Sequence, residues 1–302
     1  MNYKLLIYRL IIFTTCLSNS NFVMAQSLPE LKEPITVEEV YDRFYNAIGL
    51  KTHPETSCFS KQSKSVTKQF NKINNTSLIK GIEVIDYKNQ TIANIISSNI
   101  LNETHISRHV KTLEKTFIFG ENGEITENQS FLKLDDFKIN FIKEPTDSSK
   151  AILLPSEVFN GEECYVTLIK TKTKILPTET IEDLYQFFSI KTGLKIGVKS
   201  IIKTTMEAIL NKENPNFSRP GVVSIGTACT FFQNFQKVDN LILHHKVITT
   251  FETITKTEGS EIENTTSMEI KTEIKYNVDP EHFKNVTFKS PKEAIAEIPD
   301  DL

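Results

Sequence analysis

The chain has 302 residues, with 38 acidic against 35 basic side chains, 20 Phe and no Trp. Lysines and acids alternate along it without a basic patch, which excludes nucleic acid as an expected partner. Setting aside residues 1–25, which carry Lys4 and Arg9, leaves 33 basic residues and a net charge of about −5.

Those first 25 residues read as a secretory signal. Lys4 and Arg9 precede a short apolar run, Leu10 to Leu17, and SNSNFVMA follows with Val23 and Ala25 at small-residue positions. The run is far short of the ~20 residues that span a bilayer; a retained anchor is the alternative. FTTC at Cys16 lacks the Leu-small-small-Cys pattern of a lipoprotein signal. The expected mature protein therefore begins at Gln26 and is periplasmic or secreted. Its expected organisation is a single domain over 26–288 and an acidic, mobile tail over 289–302. A chain of this size buries roughly three quarters of its unfolded surface, so its core needs no crosslinks. Cys58, Cys164 and Cys229 are widely spaced with no CxxC, which excludes a zinc ribbon or redox motif. They read as buried thiols, with at most one disulfide left open.

The first predicted element is a helix, Ile35 to Leu50. Thr36 is a good N-cap, Glu39 sits where a capping box places it, and Gly49 supplies the stop. Val37, Val40, Tyr41, Phe44 and Ile48 form one apolar face at helical spacing. Residues 57–77 are polar and read as either a second short helix or a loop. From there the period changes to two. GIEVIDYK, TIANIISSNI and FKINFIK are weaker strands. Thr112 to Gly120 is a clearer one, with Asn122-Gly123 as a two-residue hairpin signal. Asn160-Gly161 turns the chain into a strand from Cys164 to Ile169, and Lys191-Thr192-Gly193 bends LYQFFSIKTGLKIGV. Residues 203–220 are ambiguous between strand end, helical turn and loop. In Met268 to Tyr276 apolar and charged residues alternate cleanly, as in an antiparallel strand with one wet face. The total is about ten strands.

FFQNFQKVDNLILHHK, Phe231 to Lys246, raises the question of a site. Strict alternation puts Leu241, Leu243, His245 and Val247 on one face and Ile242, His244 and Lys246 on the other. Adjacent histidines on opposite faces cannot share a metal, and no HExxH spacing occurs, so no metal is expected. There is no GxSxG, no Cys beside a His and no phosphate loop, so no catalytic residue and no cofactor are expected. What remains is the aromatic surplus. One amphipathic helix is too small to cover ten strands, and the hollow left by a curved sheet takes apolar ligands. The candidate lining is Val40, Phe44, Ile48, Phe117, Phe119, Tyr185, Phe187, Phe232, Phe235 and Leu243.

Five segments also resemble the periplasmic outer-membrane lipoprotein carriers (LolA/LolB-like), in a divergent, Bacteroidetes-type form. The helix matches through Thr36, Glu39, Val40, Phe44, Ala47, Ile48 and Gly49, with Leu50 in place of a second Gly. Val158, Gly161 and Tyr165 match a following strand, and Tyr185, Phe187, Thr192, Gly193 and Leu194 the next hairpin. Phe232, Phe235, Val238 and Asp239 match a third segment, in which Asn240 replaces a Gly and His244 a Pro. NVDPEHF, Asn277 to Phe283, resembles the closing one. The resemblance implies an unclosed, strongly curved antiparallel β-barrel with a helix lid in its concave face, binding acyl chains without catalysis. The implied partners are lipid or a lipidated protein, with peripheral contact with envelope membranes, and the chain is expected to be a monomer. Two rivals stay open: an envelope interaction or sensor module with a filled core, and a hydrolase with a site no motif reveals.

Overall fold

The computed structural model describes residues 36–50, 60–71, 76–87, 90–100, 103–119, 124–130, 132, 151–208, 218–260, 263–277, 298–299 and 302. The signal segment, Cys58, FKINFIK and most of NVDPEHF lie outside them. The helix forms as expected, at Val37–Ala47 (α1). The Glu39 amide donates to Thr36 Oγ1 at 3.2 Å, satisfying one of the orphan N–H groups of the first turn. At the other end the Leu50 amide donates to the Tyr45 carbonyl and the Gly49 amide to that of Asn46. With Gly49 at φ +84°, this is a Schellman ending.

Among the described residues thirteen strands follow, rather than about ten. They are β1 (Ser60–Asn71), β2 (Thr76–Asp86), β3 (Thr91–Ile100), β4 (Glu103–Lys111), β5 (Lys115–Phe119), β6 (Ile125–Gln129) and β7 (Ala151–Phe159). The remainder are β8 (Glu162–Ile175), β9 (Thr178–Ser189), β10 (Lys195–Met206), β11 (Val222–Val238), β12 (Leu241–Thr257) and β13 (Glu263–Tyr276). All belong to one antiparallel sheet in the order β6-β5-β4-β3-β2-β1-β13-β12-β11-β10-β9-β8-β7. The last strand returns to pair with the first, Lys61 opposite Tyr276 through Asn71 opposite Thr266. The sheet's two edges, β6 and β7, are therefore consecutive in sequence, and the barrel is not closed between them.

The segment from 57 to 77 corrects both earlier options, because most of it is β1, and β1 sits mid-sheet between β2 and β13. The turn signal at 122–123 lies outside the described residues. The strands on either side of it, β5 and β6, pair with Phe119 opposite Ile125. Asn160-Gly161 does close a two-residue turn, Phe159 opposite Glu162, with both residues at positive φ. In the turn between β11 and β12 the left-handed residue is Asp239 at φ +53°, not the Gly-replacing Asn240.

Register assigns every strand two faces. On the inner face, Thr167 and Gln186 lie beside α1: Tyr41 Oη donates to Gln186 Oε1 at 2.7 Å, and Thr167 Oγ1 to the same oxygen at 3.1 Å. Val37, Val40, Tyr41, Phe44 and Ile48 pack there against Tyr165 and Phe188. The outer face carries two further clusters. Cys164, Val166, Phe187 and Ile196 form one. Val66, Ile82, Val84 and Ile95 form the other, with Ile298 and Leu302 laid over them. Lys80 Nζ donates to the Ile298 carbonyl at 2.7 Å. Ile298 and Leu302, in the segment expected to be a mobile tail, are thus buried. Residues Pro34–Leu302 form one compact unit.

Candidate functional site

A cavity of about 490 Å³, partly open to solvent, lies on the inner face beside α1. Phe44 and Ile48 of α1 reach it from one side. Ile85 of β2, Lys61 and Ser63 of β1, and Thr272, Ile274 and Tyr276 of β13 form one part of its wall. Ile242, Leu243, His244 and Val247 of β12, Phe232 and Phe235 of β11, and Lys195 of β10 form the rest, with Tyr87 beyond the end of β2. Six adjacent strands laid flat span about 24 Å at the usual spacing. For all six to line one space of this volume, the sheet must bend around it. The end of α1 is tied to the same wall, since the Ile242 amide donates to the Ile48 carbonyl at 3.1 Å.

Of the ten candidate lining residues, the structure brings Phe44, Ile48, Phe232, Phe235 and Leu243 together at this cavity. Val40 is buried between α1 and the sheet. The other four are corrected. Phe188 faces the helix, so its neighbour Phe187, and Tyr185 two residues before, must point outward. There Phe187 stacks on Phe159 with ring centroids 3.9 Å apart. Phe117 and Phe119 oppose Val110 and Arg108, which oppose Ala93 and Ile95 of the outer face. The Arg108 guanidinium lies 4.4 Å from the centroid of the Phe119 ring.

The sequence reading missed the polar part of the lining, and the reason is specific. Two irregularities break the period of two where it matters. Register shifts between Lys195 and Gly197, so that Phe188 opposes Lys195 while Phe187 opposes Gly197. Ile196 is the extra residue of a bulge, and the bulge turns Lys195 to the inner face that alternation from Gly197 would deny it. Further along, Gln233 opposes Lys246 and Phe235 opposes His244, but Asn234, at φ +53°, and His245 between them are unpaired. Lys246 is an outer-face position, yet His244 and Leu243 both line the cavity. The expected division of Leu243 and His244 between opposite faces therefore fails here.

The His244 ring sits 4.7 Å from that of Phe232 and 6.2 Å from that of Phe235. Burial, reinforced by the positive charges of Lys61 and Lys195 and by His245, pushes its pKa down to about 4. Its backbone carbonyl accepts from Tyr276 Oη at 3.2 Å. The His245 ring turns instead to Tyr276, 5.2 Å away edge to face, and burial lowers its pKa against a hydrogen bond with the Ile274 backbone. Lys195 Nζ lies 5.3 Å from the centroid of the Phe44 ring. No group of three metal-ligating side chains occurs among the described residues. Cys164 and Cys229 are free thiols, and burial raises the pKa of Cys164 to about 11.

The class of protein so defined is a mainly β chain with one unclosed antiparallel sheet, a helix on its inner face and a largely apolar cavity between them. No protein-family model matches the sequence, and no curated protein matches it. Among solved structures, a LolA superfamily protein from Nitrosomonas europaea aligns at 8% identity and TM-score 0.34, covering 83% of this chain and 97% of its own. MucB in complex with MucA aligns at 8% identity and TM-score 0.21, covering 79% and 94%. OpdQ from Pseudomonas aeruginosa aligns at 5% identity and TM-score 0.29, covering 74% and 100%. Scores this low establish neither a shared fold nor a shared role.

Proposed function

We propose that this is an exported, periplasmic binding protein that holds lipid acyl chains, or the lipid group of a modified partner, in the cavity beneath α1. The observation that carries the reading is the cavity itself. Its volume of about 490 Å³ falls within the ~300–1,000 Å³ of small-molecule sites. Phe44, Ile48, Ile85, Phe232, Phe235, Leu243, Val247 and Ile274 supply an apolar lining. Burial of apolar ligand area, at about 25 cal/mol per Å², drives such binding. In this reading α1 is the lid, and its contacts with the sheet set how readily the ligand leaves.

The reading is one of binding without catalysis. His244, the half-buried imidazole of the cavity, has its pKa pushed down to about 4, far below the operating pH that suits a general base. A filled interaction module is disfavoured by the cavity volume. The test is solvent extraction of the purified protein for co-purified lipid, followed by titration with a fluorescent fatty acyl probe. Saturable binding that Phe232→Asp abolishes supports the proposal. An empty extract together with no saturable binding overturns it.

A further inference from the structure

The cavity is not uniformly apolar, and its polar part is one-sided in charge. Among the described lining residues the charged groups are Lys61 and Lys195, and there is no carboxylate. This basic lining belongs to a chain with more acidic than basic residues. Both line the one cavity, Lys61 from β1 and Lys195 from β10, and the His244 imidazole feels both charges. Lys61 reaches the inner face by regular alternation, opposite Tyr276 and Ile85. Lys195 and His244 reach it through the two backbone irregularities, the bulge at Ile196 and the unpaired Asn234 and His245. Regular strands would send both side chains outward. Bulges beside functional sites commonly re-aim a side chain in this way.

We propose that the occupant is an amphiphile with an anionic head, a long-chain fatty acid, whose carboxylate is held in this cavity by Lys61 and Lys195 near His244. The inference rests on the acyl-chain reading and narrows it. A carboxylate there gains two cationic partners in a partly desolvated wall, where charge-assisted contacts are stronger than in water. The tail then follows the apolar lining from Phe44 to Ile274.

The experiment is displacement of the neutral dye Nile red from the full chain by hexadecanoate and by hexadecanol. The same is done with K61M/K195M and with K61R/K195R. The expected result is displacement by both ligands in the parent. In K61M/K195M the affinity for hexadecanoate should fall at least about tenfold relative to that for hexadecanol, and the arginine variant should recover most of the loss. Retained hexadecanol binding also reports that the methionine variant is folded. In parallel, hexadecanoate should raise the His244 titration midpoint seen by NMR and hexadecanol should not. Equal binding of acid and alcohol in all three proteins overturns the anionic head and leaves the acyl cavity standing. Stoichiometric uptake of a zwitterionic diacyl phosphatidylcholine with affinity equal to that of hexadecanoate overturns the fatty acid as the occupant. Failure of the dye and both ligands to bind overturns both readings.

Discussion

At the scale of single residues, the inner face is specified by polar groups that apolar patterning does not reveal. His244 shows how such a group couples to stability. In the unfolded chain it titrates near the ordinary imidazole value of about 6.5, and in the fold at about 4. The native state thus disfavours the proton. Its contribution is complete above pH 6.5 and is lost as pH falls toward 4, at about 1.4 kcal/mol per unit. The groups that set this are Lys61, Lys195 and His245 around the ring, with Phe232 and Phe235 against it. Between pH 7 and pH 4 the parent should therefore lose about 2 to 3 kcal/mol more than His244→Gln, as read from urea midpoints. Equal losses would mean that the ring is better hydrated than its surroundings imply. Tyr41 is a second such residue, its hydroxyl buried against Gln186 and Thr167. Tyr41→Phe keeps the ring on Phe188 but removes the donor, and should cost about 1 to 2 kcal/mol in the same assay.

At the scale of elements, α1 was legible because its signals are local. Thr36, the apolar stripe and Gly49 all act within one or two turns, and each appears in the structure in the role its position implies. The hairpin at Asn160-Gly161 was legible for the same reason. Strand β1 was not. SKQSKSVTKQFN offers no apolar alternation, since Gln62 and Ser60 are buried alongside Val66. What holds it is pairing on both sides with β2 and β13, a long-range condition that no window of sequence contains. Aromatic pairs such as Phe187-Phe188 mislead for a related reason: one ring must face in and the other out, and only register says which. The two ends of α1 should also differ in consequence. Thr36→Ala removes a cap and should cost about 1 kcal/mol with acyl-probe affinity unchanged. At Gly49 an added Cβ would collide with the Asn240 carbonyl, at a φ of +84°. Gly49→Ala should therefore cost about 2 kcal/mol or more and also weaken acyl-probe binding, because it displaces Ile48 from the cavity wall.

At the scale of the whole chain, the sheet is two meanders sewn together at β1 and β13. One runs outward from β1 to the β6 edge, and the other returns from the β7 edge to β13. The seam has eleven paired positions, Lys61 to Asn71 against Tyr276 to Thr266. The chain's end adds a second stitch, with Ile298 and Leu302 buried on Val66, Ile82, Val84 and Ile95 of the first meander. If these ties make the two meanders one cooperative unit, damage to one should be felt in the other. Cys164 in β8 is the reporter, fully buried in the second meander and far in the strand order from the first. Its thiol is labelled only when its surroundings open. Ile298→Ala removes a side chain only 1% exposed, at a cost of about 3 kcal/mol. In a background of Cys58→Ser and Cys229→Ser, that change should speed labelling of Cys164 by roughly a hundredfold if opening is global. Ile175→Ala, at a strand end where Ile175 is 73% exposed, should alter it little. Unchanged labelling of Cys164 in Ile298→Ala, alongside a lowered urea midpoint, would mean that the meanders open separately and that the β1–β13 seam is the weak line of the sheet.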